Sequence, residues 1–125
     1  MAKILVVDDD TLVRSSLSYA LEDAGHDVVQ AGDGNEGLTA LKRARFDAVV
    51  LDILMPEREG IETIREIRKT WDLLPVLAIS GGDKTGCTDF LRMAAALGAN
   101  DTMAKPFTNT EFVERVLRLV SATTA

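Results

Sequence analysis

Five short apolar runs alternate with five longer amphipathic stretches, and this alternation constrains the fold more than any other feature of the sequence. The runs cover Lys3 to Val7, Asp27 to Ala31, Asp47 to Leu51, Pro75 to Ile79 and Asp101 to Ala104. Four of them lack strict polar alternation, which is typical of strands covered on both faces in a parallel sheet. The fifth run is predicted as a strand mainly because of its neighbours.

The stretches between the runs repeat apolar residues at spacings of three and four, as the buried face of a helix does. The first places Val13, Leu17 and Leu21 in one stripe and ends at Gly25. Capping boxes are predicted at two helix starts, by Asp33 with Glu36 and by Thr108 with Glu111. A β-α unit repeated five times predicts an α/β fold, in which right-handed crossovers place helices on both faces of a doubly wound five-stranded parallel sheet.

Length and charge narrow the class of protein. At 125 residues the chain has the usual size of one domain, so we expect a single domain over residues 1–125 without an effector domain. Twenty acidic against fourteen basic residues give a net charge of -6, which disfavours direct nucleic-acid binding. The single cysteine, Cys87, excludes an internal disulfide. No apolar run suits a signal peptide or a membrane span, so we expect a cytoplasmic protein.

Polar residues stand at the ends of four predicted strands. They are Asp8, Asp9 and Asp10 after the first strand, Asp52 at the end of the third, Ser80 at the end of the fourth and Lys105 at the end of the fifth. The carboxyl ends of parallel strands share one edge of the sheet, where ligands bind in open α/β folds. We therefore expect these residues to line one crevice.

The residue types in this crevice suit phosphoryl chemistry. Neighbouring carboxylates repel one another, and a hard divalent cation such as Mg2+ relieves that repulsion. A phosphoryl group would then lie between the cation, the Lys105 ammonium and the Ser80 hydroxyl. Asp52 is the candidate covalent acceptor through its carboxylate.

Each of these residues also has an ordinary structural explanation. Asp8 or Asp10 would serve as the N-cap of the first helix, and Lys105 would be a solvated lysine at a strand end. Ser80 and Asp52 would be turn residues. All of these explanations must hold together to dismiss the crevice, and the joint placement at one edge favours a functional site.

With these residues in place, the sequence resembles the receiver domain of bacterial two-component response regulators. The resemblance covers residues 3–120 and is carried by four segments: Ile4 to Asp10, Val49 to Pro56, Ala78 to Gly81, and Lys105 to Phe107. It implies a flavodoxin-like sheet with strand order 2-1-3-4-5.

The resemblance also implies roles for the site residues. Asp52 would accept a phosphoryl group from a phosphohistidine on a sensor histidine kinase. Mg2+, or Mn2+ in its place, would bind Asp9, Asp52 and the backbone carbonyl of Leu54 directly, while Asp8 would act largely through water.

Ser80 would hydrogen-bond the phosphoryl group and Lys105 would pair with it, and the Lys105–Pro106 peptide bond would be cis. Water would then hydrolyse the acyl phosphate. The domain would thus catalyse its own phosphotransfer and dephosphorylation without being a conventional turnover enzyme.

For partners, the resemblance implies a sensor histidine kinase or a histidine phosphotransfer protein, and a downstream protein that docks on the fourth helix, fifth strand and last helix. We expect no direct nucleic-acid or membrane binding, and a monomer or a weak phosphorylation-dependent dimer. Thr102 stands where the family usually carries an aromatic switch residue. The glycine-rich segment from Gly81 to Gly86 is therefore the hypothetical carrier of the conformational change.

Other function classes fit the sequence less well. A pseudo-receiver, which binds a protein partner without phosphoryl chemistry, typically lacks a key acid or the lysine, and this chain has both. A flavin or nucleotide binder would need a glycine- or hydroxyl-rich loop after the first strand, where three aspartates stand. A phosphoester hydrolase would need a second catalytic acid on an adjacent strand.

Some polar residues are predicted to have no special role. Arg65, Arg68 and Lys69 on the third helix are predicted to form a solvated basic face. His26, which follows Gly25, is predicted to be a surface turn residue.

Overall fold

A computed structural model of the chain describes residues 2–53, 59–81 and 87–124. Strands and helices alternate along these ranges. The strands are β1 (Lys3–Val7), β2 (Asp27–Ala31), β3 (Ala48–Asp52), β4 (Val76–Ser80) and β5 (Asp101–Ala104). The helices are α1 (Thr11–Asp23), α2 (Gly34–Arg43), α3 (Glu59–Thr70), α4 (Cys87–Leu97) and α5 (Asn109–Thr124).

The strands form one parallel sheet in the order β2-β1-β3-β4-β5, which confirms the predicted α/β, flavodoxin-like topology. Alternate strand residues face opposite sides of the sheet. Leu5 and Val49 pack in one buried cluster with residues of α2, α3 and α4, whereas Val6 and Leu77 pack in a second cluster with residues of α1 and α5. Helices therefore cover both faces, as the sequence predicted.

Three elements have boundaries that differ from the prediction. Both β3 and β4 begin and end one residue later than predicted, so Asp52 and Ser80 are the last residues of their strands. Just before β3, the Asp47 carboxylate accepts a hydrogen bond of 2.8 Å from the Lys3 backbone N–H, and the Asp47 N–H donates to the Lys3 carbonyl at 2.8 Å. Pro75 has no N–H to donate to the sheet, and β4 begins after it. The last helix, whose apolar pattern predicts an end at about Val120, continues to Thr124.

The N-cap residues explain where the helices begin. Asp10 caps α1, because its carboxylate accepts hydrogen bonds from the backbone N–H groups of Leu12 and Val13 at 3.0 and 3.3 Å. Asp33 accepts from the N–H of Glu36 in the same way at the start of α2. The capping role weighed for Asp8 or Asp10 thus belongs to Asp10, which leaves the Asp8 and Asp9 carboxylates at the edge of the sheet.

A glycine brings α3 close to the end of β3. A Cβ atom at Gly60 would lie 2.3 Å from the Cα of Ile53 and 2.7 Å from the backbone oxygen of Asp52. No side chain fits between these backbones without moving one of them. Gly60 therefore allows the first turn of α3 to pack directly against the strand end that carries Asp52.

The prediction of a solvated face is confirmed for Arg65 and Lys69, which are exposed, and wrong for Arg68. The Arg68 guanidinium is half-buried and donates hydrogen bonds to the Gly98 carbonyl at 3.0 and 2.7 Å, with a further one of 2.7 Å to Asn100 Oδ1. Burial lowers the pKa of Arg68, while the nearby charge of Asp72 raises it. The cause is tertiary, because the end of α3 packs against the loop between α4 and β5.

His26 also differs from its prediction as a surface residue. It is half-buried, and its Nδ1 accepts a hydrogen bond of 3.1 Å from the backbone N–H of Ala2. The imidazole therefore helps to fix the chain just before β1. Among the helices of the described ranges, none combines the length and the apolar character that a membrane span requires.

Candidate functional site

Three carboxylates meet at the carboxyl edge of the sheet. Asp8 and Asp9 follow β1, and Asp52 ends the neighbouring strand β3, with Val7 of β1 opposite Leu51 of β3. One carboxylate oxygen from each of the three aspartates lies within 4.8 Å of the others. Asp8 and Asp52 are 1% and 8% exposed, whereas Asp9 is exposed to solvent. The structure thus brings together the acids that the sequence placed in one crevice.

The most deeply buried of these acids, Asp8, is held at one oxygen only. Its Oδ1 accepts a hydrogen bond of 2.9 Å from the Asp10 backbone N–H, while Oδ2 has no hydrogen-bond partner in the described part of the chain. Burial raises the pKa of Asp8 from 3.8 to about 6. The Asp10 N–H and the Lys105 charge oppose this increase, and the charges of Asp52 and Asp9 add to it.

Lys105 supplies the positive charge of the site. Its backbone N–H donates to the Ser80 carbonyl at 2.8 Å, which ties the end of β5 to the end of β4. Its Nζ lies 3.8 Å from Asp52 Oδ2 and 3.9 Å from Asp8 Oδ2. The Lys105–Pro106 peptide bond is cis, in agreement with the prediction. A single ammonium group thus faces two of the three carboxylates.

Ser80 lies at the end of β4, next to β3, with its side chain fully buried. Its Oγ has no hydrogen-bond partner among residues 2–53, 59–81 and 87–124. Buried hydroxyls are normally paired with a hydrogen-bond partner. The Leu54 carbonyl and the segment from Gly82 to Gly86, both named in the sequence analysis, lie outside the described residues.

The chemistry of these donors fits a hard divalent cation. Carboxylate oxygens are the ligands that Mg2+ and Mn2+ prefer, and the Asp8, Asp9 and Asp52 oxygens are close enough to share one ion. Asp8 Oδ2, buried without a hydrogen-bond partner in the described ranges, is an acceptor that such an ion or its water shell would satisfy. The three acids and one lysine can therefore hold a cation beside an anionic group.

Sequence reasoning missed one residue that touches this site. Arg14, one turn into α1, donates from Nη1 to the Asp8 carbonyl oxygen at 2.8 Å and from Nε to Gln30 Oε1 at 3.1 Å. Its position four residues after Asp10 was the available signal, because the first turn of a capped helix lies beside the loop that precedes it.

Comparisons with known proteins agree with this geometry. The family model described as the response regulator receiver domain matches residues 4–117. The chain is 41% identical over 124 residues to the response regulator MprA of Mycolicibacterium vanbaalenii, covering 98% of this chain and 52% of that protein. It is 40% identical to MprA of Mycobacterium leprae over 123 residues, covering 97% of this chain and 52% of that one. The chain thus spans about half the length of these curated relatives.

Solved structures give the same result over nearly complete domains. The receiver domain of a Francisella response regulator superposes with a TM-score of 0.86 at 31% identity, covering 98% of this chain and 99% of that one. A response regulator receiver domain protein from Clostridium thermocellum gives a TM-score of 0.90 at 28% identity, covering 99% and 98%. With its fold, its acidic cluster and these matches in agreement, the chain belongs to the family of response regulator receiver domains of two-component systems.

Proposed function

We propose that this receiver accepts a phosphoryl group on Asp52 in a reaction that depends on Mg2+. One observation supports the proposal. A carboxylate oxygen of Asp52 lies within 4.8 Å of carboxylate oxygens of Asp8 and Asp9, and Lys105 Nζ lies 3.8 Å from Asp52 Oδ2. Asp52 is also more exposed than Asp8, at 8% against 1%, so it is the buried acid that a donor can approach.

The transfer replaces one bond to phosphorus by another. A carboxylate oxygen of Asp52 attacks the phosphorus of a phosphohistidine, the P–N bond breaks, and its electron pair stays on the imidazole, which then takes a proton. The phosphohistidine would be presented by a sensor histidine kinase or a histidine phosphotransfer protein. Asp9 and Asp52, together with the Leu54 carbonyl, would hold the cation directly, and Asp8 through water. The cation supplies neutralisation of the charge on the phosphoryl oxygens.

Ser80 and Lys105 would hold the group once it is attached. The Ser80 hydroxyl, unpaired within the described ranges, would donate to a phosphoryl oxygen. The Lys105 ammonium, at 3.8 and 3.9 Å from two carboxylates, would move to a second phosphoryl oxygen. Water attack on phosphorus would then break the bond to Asp52 and return its carboxylate, so that the signal limits its own lifetime.

The output surface that we propose is the α4–β5–α5 face, named after its three elements. Met93 of α4 and Leu117 of α5 are large apolar residues that are 45% and 40% exposed. Arg115 of α5 forms an ion pair of 3.1 Å with Asp101 of β5. A downstream protein, or a second copy in a weak phosphorylation-dependent dimer, would dock there. A single-domain organisation of residues 1–125 and a cytoplasmic location stay predictions.

Phosphorylation of Asp52 can be measured directly by intact mass after incubation with acetyl phosphate. We expect the wild type to gain one phosphoryl group in Mg2+ and none in EDTA. Asp52→Asn should gain none, because a carboxamide is a poor nucleophile. Asp23→Asn, an exposed position on α1, makes the same chemical change as a matched control and should be phosphorylated like the wild type.

Phosphorylation of Asp52→Asn to the wild-type extent would contradict the assignment of the acceptor. A wild type that gains no phosphoryl group, from acetyl phosphate or from a panel of sensor kinases, would favour the pseudo-receiver alternative.

A further inference from the structure

The guanidinium of Arg14 joins α1 to the turn that carries the acidic residues. Arg14 is half-buried, and its Nη1 donates a hydrogen bond of 2.8 Å to the backbone oxygen of Asp8. Its Nε donates one of 3.1 Å to Gln30 Oε1, near the end of β2. One side chain therefore bridges the acidic turn and the edge strand of the sheet.

These contacts complete the anchoring of the Asp8 backbone. The Asp8 N–H donates to the Ala31 carbonyl of β2 at 3.2 Å, and the Asp8 carbonyl is held by Arg14. That carbonyl belongs to the peptide unit between Asp8 and Asp9. Because a peptide unit is planar, fixing its oxygen also fixes the direction in which the chain enters Asp9. The exposed Asp9 has little packing of its own to hold it in place.

Arg14 is itself well placed to act as an anchor. Its backbone N–H donates to the Asp10 carbonyl at 2.9 Å, and its carbonyl accepts from the buried Ser18 Oγ at 2.7 Å. The Asp10 carboxylate caps the same helix. The start of α1 and the acidic turn thus form one hydrogen-bonded unit.

The effect of Arg14 on the acids is geometric. Both hydrogen bonds of the Arg14 side chain go to neutral acceptors, the Asp8 backbone oxygen and the Gln30 amide oxygen, and neither goes to a carboxylate. A guanidinium reaches two separate acceptors from a rigid fork, whereas an ammonium is a point donor. A lysine at position 14 would keep the charge and lose the bridge.

We propose that Arg14 is a positioning residue that orients the peptide unit between Asp8 and Asp9, so that both carboxylates face Asp52 and hold the divalent cation together, Asp9 directly and Asp8 through water. This inference rests on the proposed function, since it concerns the same Mg2+ site. Arg14 would thus contribute to the Mg2+ affinity although it lies outside the acidic cluster.

Calorimetric titration of Mg2+ into wild type, Arg14→Met and Arg14→Lys tests the inference. We expect the dissociation constant to rise about tenfold in both variants, as for other residues that orient metal ligands. Arg118→Met, at an exposed position of α5, removes the same charge far from the acidic turn and should bind Mg2+ like the wild type. At saturating Mg2+ the phosphorylation rate of Arg14→Lys should return to the wild-type value, because only cation binding is impaired.

Gln30→Leu provides a test that keeps Arg14 and the core intact, since Gln30 is exposed. Loss of this one acceptor should weaken Mg2+ binding about threefold, the effect of one hydrogen bond. In the Arg14→Met background the same change should have no further effect, because it acts through Arg14.

Wild-type affinity in Arg14→Lys would overturn the inference and leave the proposed function standing, because charge alone would then suffice. So would equal effects of Gln30→Leu with and without Arg14. A wild type that binds no Mg2+ would overturn the proposed function and this inference with it.

Discussion

Two polar networks at opposite edges of the sheet differ in how completely their buried groups are hydrogen-bonded. At the amino edge, where β4 and β5 begin, the Arg68 guanidinium donates to the Gly98 carbonyl and to Asn100 Oδ1, and Asn100 Oδ1 also accepts from the N–H of Val76. At the carboxyl edge, Asp8 Oδ2 and Ser80 Oγ are buried and have no hydrogen-bond partner within the described ranges. The same sheet therefore carries one saturated polar network and one incomplete one.

The contrast distinguishes polar residues that stabilise the fold from those that, in the proposed function, would bind a ligand. Burying a polar atom without a partner reduces stability, and folding alone does not favour it. The Arg68 network at the amino edge recovers this cost within the chain, although His26 Nε2, next to the start of β2, is buried without a hydrogen-bond partner in the described ranges. At the carboxyl edge, no residue of the described ranges hydrogen-bonds Asp8 Oδ2 or Ser80 Oγ, and the cation and phosphoryl group of the proposed function would bind there. Local conflict of this kind is expected at functional sites.

Removing the hydrogen bonds of Arg68 at the amino edge should have the largest effect on stability. Arg68→Met removes the hydrogen bonds to Gly98, Asn100 and the Trp71 carbonyl, and should lower the free energy of unfolding by about 3 kcal/mol. Urea titration followed by circular dichroism measures this loss. Arg65→Met, at an exposed position of the same helix, should change stability by less than about 0.5 kcal/mol.

Phosphorylation of folded Arg68→Met should match the wild type, because the amino edge is remote from Asp52. Equal stabilities of Arg68→Met and Arg65→Met would show that the Arg68 network does not stabilise the fold. That result would contradict the comparison between the two edges.

Removing the buried charge of Asp8 at the carboxyl edge should instead raise the free energy of unfolding. The pKa of Asp8 is raised from 3.8 to about 6, so the metal-free folded protein loses stability as the pH rises through this interval. The full shift corresponds to about 3 kcal/mol. Asp8→Asn removes the charge. We expect its free energy of unfolding to be about 2 kcal/mol higher than that of the wild type at about pH 7.5. The gain is smaller than the full shift because the carboxamide N–H2 group faces the Lys105 ammonium.

The same comparison at lower pH checks the cause. Near pH 4 the Asp8 carboxyl is protonated in the folded wild type, so the advantage of Asp8→Asn should nearly disappear. Saturating Mg2+ should stabilise the wild type more than Asp8→Asn, which keeps the direct ligands Asp9 and Asp52 but loses the Asp8 charge. An advantage of Asp8→Asn that is the same at both pH values would assign the effect to packing.

The two edges also differ in how well the sequence predicted them. Runs of apolar residues indicate where strands end, and the strand order implied by the family resemblance then places Asp52 beside Asp8. The contacts of Arg68 and Arg14 depend on how helices pack onto neighbouring loops, and helical periodicity carries no information on that packing. Arg68 resembles Arg65 in sequence, yet only Arg68 lies against Gly98. The close approach at Gly60 is likewise visible only once β3 and α3 are placed.

Two buried serines allow the smallest and most closely matched test of the contrast. Ser80 is 0% exposed and Ser18 is 1% exposed, but Ser18 Oγ donates to the Arg14 carbonyl at 2.7 Å whereas Ser80 Oγ has no partner in the described ranges. Ser18→Ala should lower the free energy of unfolding by about 1 kcal/mol, because it removes a made hydrogen bond.

Ser80→Ala makes the identical chemical change and should leave the metal-free protein as stable as the wild type or more stable by up to about 1 kcal/mol, because it removes a buried hydroxyl that lacks a partner. Urea titration of both variants under one set of conditions gives the difference directly. Equal losses of stability would mean that the Ser80 hydroxyl is satisfied in the resting protein. The carboxyl edge would then be less incomplete than its geometry indicates, and Ser80 would have to give up a bond before it could donate one to a phosphoryl oxygen.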